Sequence, residues 1–188
     1  MFSFRSLRYA LFAVAAFAGV AQAQAGLLSN IATVTINATK PTVLTVAINS
    51  GGTQTMANLT DNATNNFATP VNITTTWDIN PSAASVSLVG YFTTPSQALA
   101  NGTDYITSAL MKGRMTTGTP TSFTAFTQNA VGGAGVAGGS LLLFTTNITG
   151  VNKKSSRTDN LDLQIDLTGQ TVTAGTYTGT LNLRAVTQ

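Results

Sequence analysis

Hydrophobic and polar residues alternate along much of this chain, most plainly near its end, where residues 160–185 read NLDLQIDLTGQTVTAGTYTGTLNLRA. Leu161, Leu163, Ile165 and Leu167 leave the backbone on one side and Asp162, Gln164 and Asp166 on the other. Past a turn segment, Tyr177, Gly179, Leu181, Leu183 and Ala185 share one face, and Thr178, Thr180, Asn182 and Arg184 the opposite one. A period of two marks half-buried antiparallel strands, because successive side chains of a strand point to opposite faces. The pattern predicts that the chain closes on a β-hairpin or two neighbouring strands. Tyr177, Leu181 and Leu183 are then core residues, while Asp162, Asp166 and Arg184 face outward.

The same reading predicts strands over residues 31–37 and 42–48, separated by Lys40-Pro41, since proline cannot donate to a ladder and sits at edges or strand starts. Residues 49–68 read as loop, with a short strand at 56–59. Pro70 opens a strand carrying Val71, Ile73, Thr75 and Trp77, which places the single tryptophan at the centre of the core. Residues 85–92 supply another strand, and Thr94-Pro95 starts one or two helical turns. Residues 105–115 fit a bulged strand interrupted by Gly113, and Phe123 to Thr127 a short one. The run SLLLFTT at 140–146 is a strand buried on both faces, and Lys153 to Arg157 a basic loop. Eight or nine strands with turn signals between them and almost no helix predict an all-β fold, a two-sheet antiparallel β-sandwich of immunoglobulin-like kind.

The first residues change the picture of where this domain begins. Arg5 and Arg8 precede an apolar run of about a dozen residues, short of the ~20 that span a bilayer, and Ala21, Ala23 and Ala25 follow. This is the pattern of a secretory signal peptide over residues 1–25, leaving 26–188 as a single domain on a secreted, periplasmic or cell-surface protein with no stable membrane insertion of the mature chain. Charged residues make up 8% of the chain, and Glu, His and Cys are absent. Without cysteine, an exported domain rests on burial and sheet hydrogen bonds alone. Without the two leader arginines the charge is close to balanced, and no basic stripe with interleaved aromatics suggests nucleic acid.

Candidate chemistry is sparse. GAGVAG at 133–138 fits the glycine spacing of a dinucleotide fingerprint, with Asp159 downstream, but leads into the strand-like Leu141-Leu142-Leu143-Phe144 instead of a helix, so a loop is expected. With six Asp and no Glu, His or Cys, no acid/base pair suggests catalysis, and Lys153-Lys154-Ser155-Ser156 reads as a solvated loop. Neither an enzyme nor a cofactor is expected. Asp61, Asn62, Asn65 and Asn66 are oxygen donors of the kind calcium accepts, without EF-hand spacing, and are expected to form turns. The N-x-T triplets at Asn37, Asn58, Asn62, Asn72, Asn101 and Asn147 are incidental to so Asn- and Thr-rich a chain.

The ending AGTYTGTLNLRA and the opening ATVTINATKPTVLTVAI resemble the two ends of bacterial secreted β-sandwich subunits, the spore coat protein U-like and chaperone-usher pilin-like proteins. The chain lacks their usual paired cysteines and ends in Val-Thr-Gln. The resemblance implies a structural subunit, self-associating or joined to other surface subunits, whose incomplete sandwich is filled by a neighbour's N-terminal strand. The candidate donor is 28–38, with Leu28, Ala32, Val34 and Ile36 on the inserting face. A second expectation is a self-contained carbohydrate- or surface-binding module, with Trp77, Tyr91 and Tyr105 as contacts.

Overall fold

The computed structural model describes residues 29–80 and 82–188; the segment expected to be a signal peptide, residues 1–25, and Leu28 lie outside the described residues. Lys40–Gln188 forms one compact unit. Among the described residues it is all-β apart from a single 3-10 turn at Pro95–Gln97, at the position predicted for a helical turn. The described residues form eleven strands in order: β1 (Val43–Ser50), β2 (Thr64–Asn66), β3 (Val71–Asp78), β4 (Ser85–Tyr91), β5 (Leu99–Asn101), β6 (Asp104–Ile106), β7 (Met111–Met115), β8 (Thr124–Ala125), β9 (Ser140–Asn147), β10 (Lys154–Asp166) and β11 (Asn182–Thr187). The first sheet has the order β1-β3-β10-β7-β8, with β2 against the end of β10. The second has the order β11-β4-β9, and β5 and β6 form a small hairpin. All pairings between these strands are antiparallel.

The core forms where the alternating faces of the two sheets meet. Val71, Ile73 and Trp77 of β3 and Leu161, Leu163 and Ile165 of β10 are buried with Val86 and Leu88 of β4 and Leu141 and Leu143 of β9. Phe126, fully buried, packs edge-on against Phe92 at 5.2 Å. Its ring fits because Gly113 has no side chain: a Cβ there would lie 3.0 Å from Leu141, 3.1 Å from Leu161 and 3.2 Å from Phe126. Gly113 pairs in register with Leu163, so β7 is regular there and the expected bulge is not formed.

One side of the two-sheet stack is closed by backbone hydrogen bonds. The Thr119 N–H, between β7 and β8, donates to the Leu143 carbonyl at 3.2 Å, and the Gln128 N–H, where the chain crosses from β8 to β9, to the Ser140 carbonyl at 2.8 Å. At the Lys154 end of β10, Arg157 and Asp159 point inward. Arg157 bonds Asp159 through Nε at 2.6 Å and Nη2 at 2.5 Å, and its guanidinium lies 4.2 Å from the centre of the Phe144 ring. Thr117 donates a further bond to Asp159 at 2.6 Å.

The glycine-rich loop covers the outer face of β4, which explains why residues 85–90 are buried throughout. Ala134 is fully buried, and a Cβ on Gly135 would lie 3.3 Å from Val89. Ser140 Oγ pins the loop by donating to the Val136 carbonyl and accepting from its N–H, both at 2.7 Å.

Several expectations are corrected. The last two strands are not a hairpin: β10 belongs to one sheet and β11 to the other, joined by the fifteen-residue connection 167–181. The basic loop is shorter than expected, because Lys154 to Arg157 pair with β3 and lengthen β10 backward. Residues 56–59 are not a strand, and 105–115 divides into β6 and β7. Residues 31–37 also form none: a strand needs an edge to pair with, and among the described residues they have no ladder partner. In Ser29 to Thr39, outside the compact unit, all side chains are exposed, with Ile31 at 89%, Val34 at 83% and Ile36 at 85%.

Candidate functional site

Opposite the closed side, the edge strands β1 and β11 face each other, and no ladder joins them among the described residues. Each is hydrogen-bonded on one side alone, β1 to β3 and β11 to β4. Their inward residues are left half covered. Leu44 and Val46 of β1 and Leu183 and Ala185 of β11 are partly buried against the core, and Ile48 is 50% exposed. Toward the Ile48 end the seam opens into a groove of about 550 Å³. Val71, Met111, Leu163 and Ile165 form its floor; Met56, Leu59 and Phe67 stand on one flank and Tyr177, Leu181 and Leu183 on the other.

The groove exists because the closing strand begins late. Alternation runs from Tyr177, but the ladder with β4 starts at Asn182. Before that, Thr178 exchanges two backbone hydrogen bonds with Ala100 of β5, at 2.8 and 2.9 Å. A Cβ on Gly179 would overlap the Ala98 carbonyl, and one on Gly175 the Asn101 side chain. The two glycines of Gly-Thr-Tyr-Thr-Gly thus let the backbone approach β5, drawing it away from the seam. Tyr177, Leu181 and Leu183, expected in the core, are half-buried groove walls.

The aromatic contact residues are not brought together. Trp77 is 2% exposed and its Nε1 donates to the Asn152 carbonyl at 2.8 Å, so its indole belongs to the core near the start of β10. Tyr91 lies in the other sheet, paired with Asn182, and Tyr105 is exposed in β6. Asn65 is spent on turn geometry: its side chain accepts from the Thr60 N–H and donates to the carbonyls of Thr60 and Ala63. Asp61 accepts from the Val172 N–H at 3.0 Å. Among the described residues no group of three or more His, Cys, Asp or Glu is placed to hold a metal.

On the outer face of the first sheet, Lys112 pairs with Asp166 at 2.5 Å and Arg114 with Asp162 at 2.6 Å. The Lys112 bond, with help from Thr168, holds the Asp166 carboxyl well below the usual carboxylate range. Lys40 bonds Asp78 and lowers its pKa in the same way. Arg157 and Asp159 escaped the sequence reading as a pair, yet they share the parity of Leu161 and Leu163, and that signal was available.

Compared with known proteins, the chain matches no family model, no curated protein and no solved structure. What it could do is therefore argued from the seam.

Proposed function

We propose that this chain is a secreted structural or cell-surface subunit of pilin-like, immunoglobulin-like build, whose copies assemble by β-strand addition. The observation that carries this reading is an open, apolar seam together with an alternating segment in the same chain that pairs with no strand among the described residues. Residues 29–38 supply what the seam lacks. Ala32, Val34 and Ile36 share one face, and a strand of this length spans roughly 30 Å, close to the roughly 26 Å of β1. Burying Val34 and Ile36 would contribute about 1.5–3 kcal/mol each, and backbone pairing would satisfy an exposed edge that otherwise invites uncontrolled association. Leu28, the fourth residue of that face, lies outside the described residues.

Size-exclusion chromatography and electron microscopy of the purified protein test this reading. Oligomers or filaments are expected from the full chain and monomers from a chain lacking residues 26–38. A synthetic peptide of residues 28–38 should raise the melting temperature of the truncated chain, because a ligand that binds only the folded state stabilises it. Unchanged assembly and stability after truncation would overturn the proposal.

A further inference from the structure

The charges of the compact unit divide by position. Four ion pairs, Lys40–Asp78, Lys112–Asp166, Arg114–Asp162 and Arg157–Asp159, take up most of them. Among the described residues this leaves Lys153, Lys154 and Arg184 outside any ion pair, the two lysines acting on Asp78 only at longer range while Lys40 holds its carboxylate, and Asp61 and Asp104 without a basic partner. Both lysines sit at the Val43 end of the sheets, where Lys154 and Val43 each pair with Asp78. The turn that precedes Lys154 and holds Lys153 also carries Val151, 94% exposed. Both aspartates sit at the Ile48 end. Asp61 holds the Val172 N–H, and Asp104 closes the β5–β6 hairpin whose Ala100 pairs with Thr178 beside the groove. Arg184 is exposed partway along β11, away from either set.

The two ends cannot neutralise each other within one copy. They are separated by about the length of β10, thirteen residues or roughly 40 Å, against a Debye length of about 8 Å at physiological salt. A second copy can supply the missing partners in one arrangement. A two-fold dimer joined through like ends sets lysine against lysine, whereas head-to-tail stacking sets lysine against aspartate.

We infer that the loop carrying Val151 and Lys153, with Lys154 at the start of β10, of one copy docks on the Asp61 and Asp104 end of the next, beside the groove that strand addition would fill. This rests on the proposed assembly and adds what fixes its polarity. It makes the growing array open and directional, since a head-to-tail contact need not close on itself.

The test is charge exchange. Lys153→Glu with Lys154→Glu is one variant, and Asp61→Asn with Asp104→Lys the other, the asparagine keeping an acceptor for the Val172 N–H. At low salt each variant alone should need a roughly tenfold higher concentration for half-assembly, as expected for the loss of two exposed charge contacts. A one-to-one mixture should recover the unmodified behaviour, because each variant then meets an opposite end. At high salt the differences should shrink. Circular dichroism verifies folding, and Lys153→Gln with Lys154→Gln, which removes charge without reversing it, should fall between. Folded variants that assemble like the unmodified protein, or a mixture that fails to recover, overturn the inference while loss of assembly on truncation leaves strand addition standing. Recovery by mixing together with unchanged assembly after truncation does the reverse. A full chain that stays monomeric at every salt overturns both.

Discussion

The residues that decide most in this molecule are those whose chemistry conflicts with their place. Asp159 is buried between the sheets and is tolerable there because Arg157 and Thr117 fill its acceptor sites. Asp159→Ala should cost about 3 kcal/mol in a urea unfolding measurement, because it leaves a largely covered guanidinium unpaired. Gly113 is the opposite case, a position defined by lack of bulk. Gly113→Val should lower stability by about 1–3 kcal/mol by forcing Phe126 off its seat. Asp166 sets part of the acid response. Its folded pKa lies below the ordinary aspartate value of about 3.9, so the unfolded chain binds its proton more readily. Its contribution is complete above that value and is lost as pH falls toward the folded one, with Asp78 acting in the same direction. Urea midpoints should therefore be level near neutrality and fall below about pH 4, and Asp166→Asn should fall less steeply.

At the scale of elements, alternation identified strands well and their partners poorly. β3, β4, β9 and the core half of β10 stand where period two or an apolar run placed them, because their burial is dictated by side chains the sequence displays. The closing run misled in one respect. Its outward and inward faces are as read from Leu183 onward, but Gly175 and Gly179 tie the first half to β5, a pairing set by a contact far away in sequence. This segment is held by few backbone bonds and should exchange amide hydrogens faster than β11. Adding the 28–38 peptide should slow exchange at 176–181, and unchanged exchange despite peptide binding would mean that the groove wall does not respond to an added strand. Trp77 makes a simpler case, as a lone tryptophan on an alternating run is expected in a core and is found there. Its fluorescence should be blue-shifted and poorly quenched by acrylamide.

At the scale of the whole molecule, two sheets pack on one core without disulfides, and the unclosed seam is what the proposed strand addition would fill. Assembly of the purified protein should weaken with rising salt if end-to-end charge orients the copies, and light scattering across a salt series would measure it. The sequence by itself determined the class: strand faces, the buried tryptophan and the β-rich build follow from side-chain periodicity, which is local. Its alternating N-terminal segment was equally legible, though not that it would pair with no strand among the described residues. Only the tertiary structure decided which strands share a sheet, that β10 and β11 part company, and that one side closes while the other stays open. Those outcomes depend on hydrogen bonds and close backbone approaches between residues distant in the chain, such as Thr119 with Leu143 and Thr178 with Ala100, and no local pattern of polar and apolar positions encodes them.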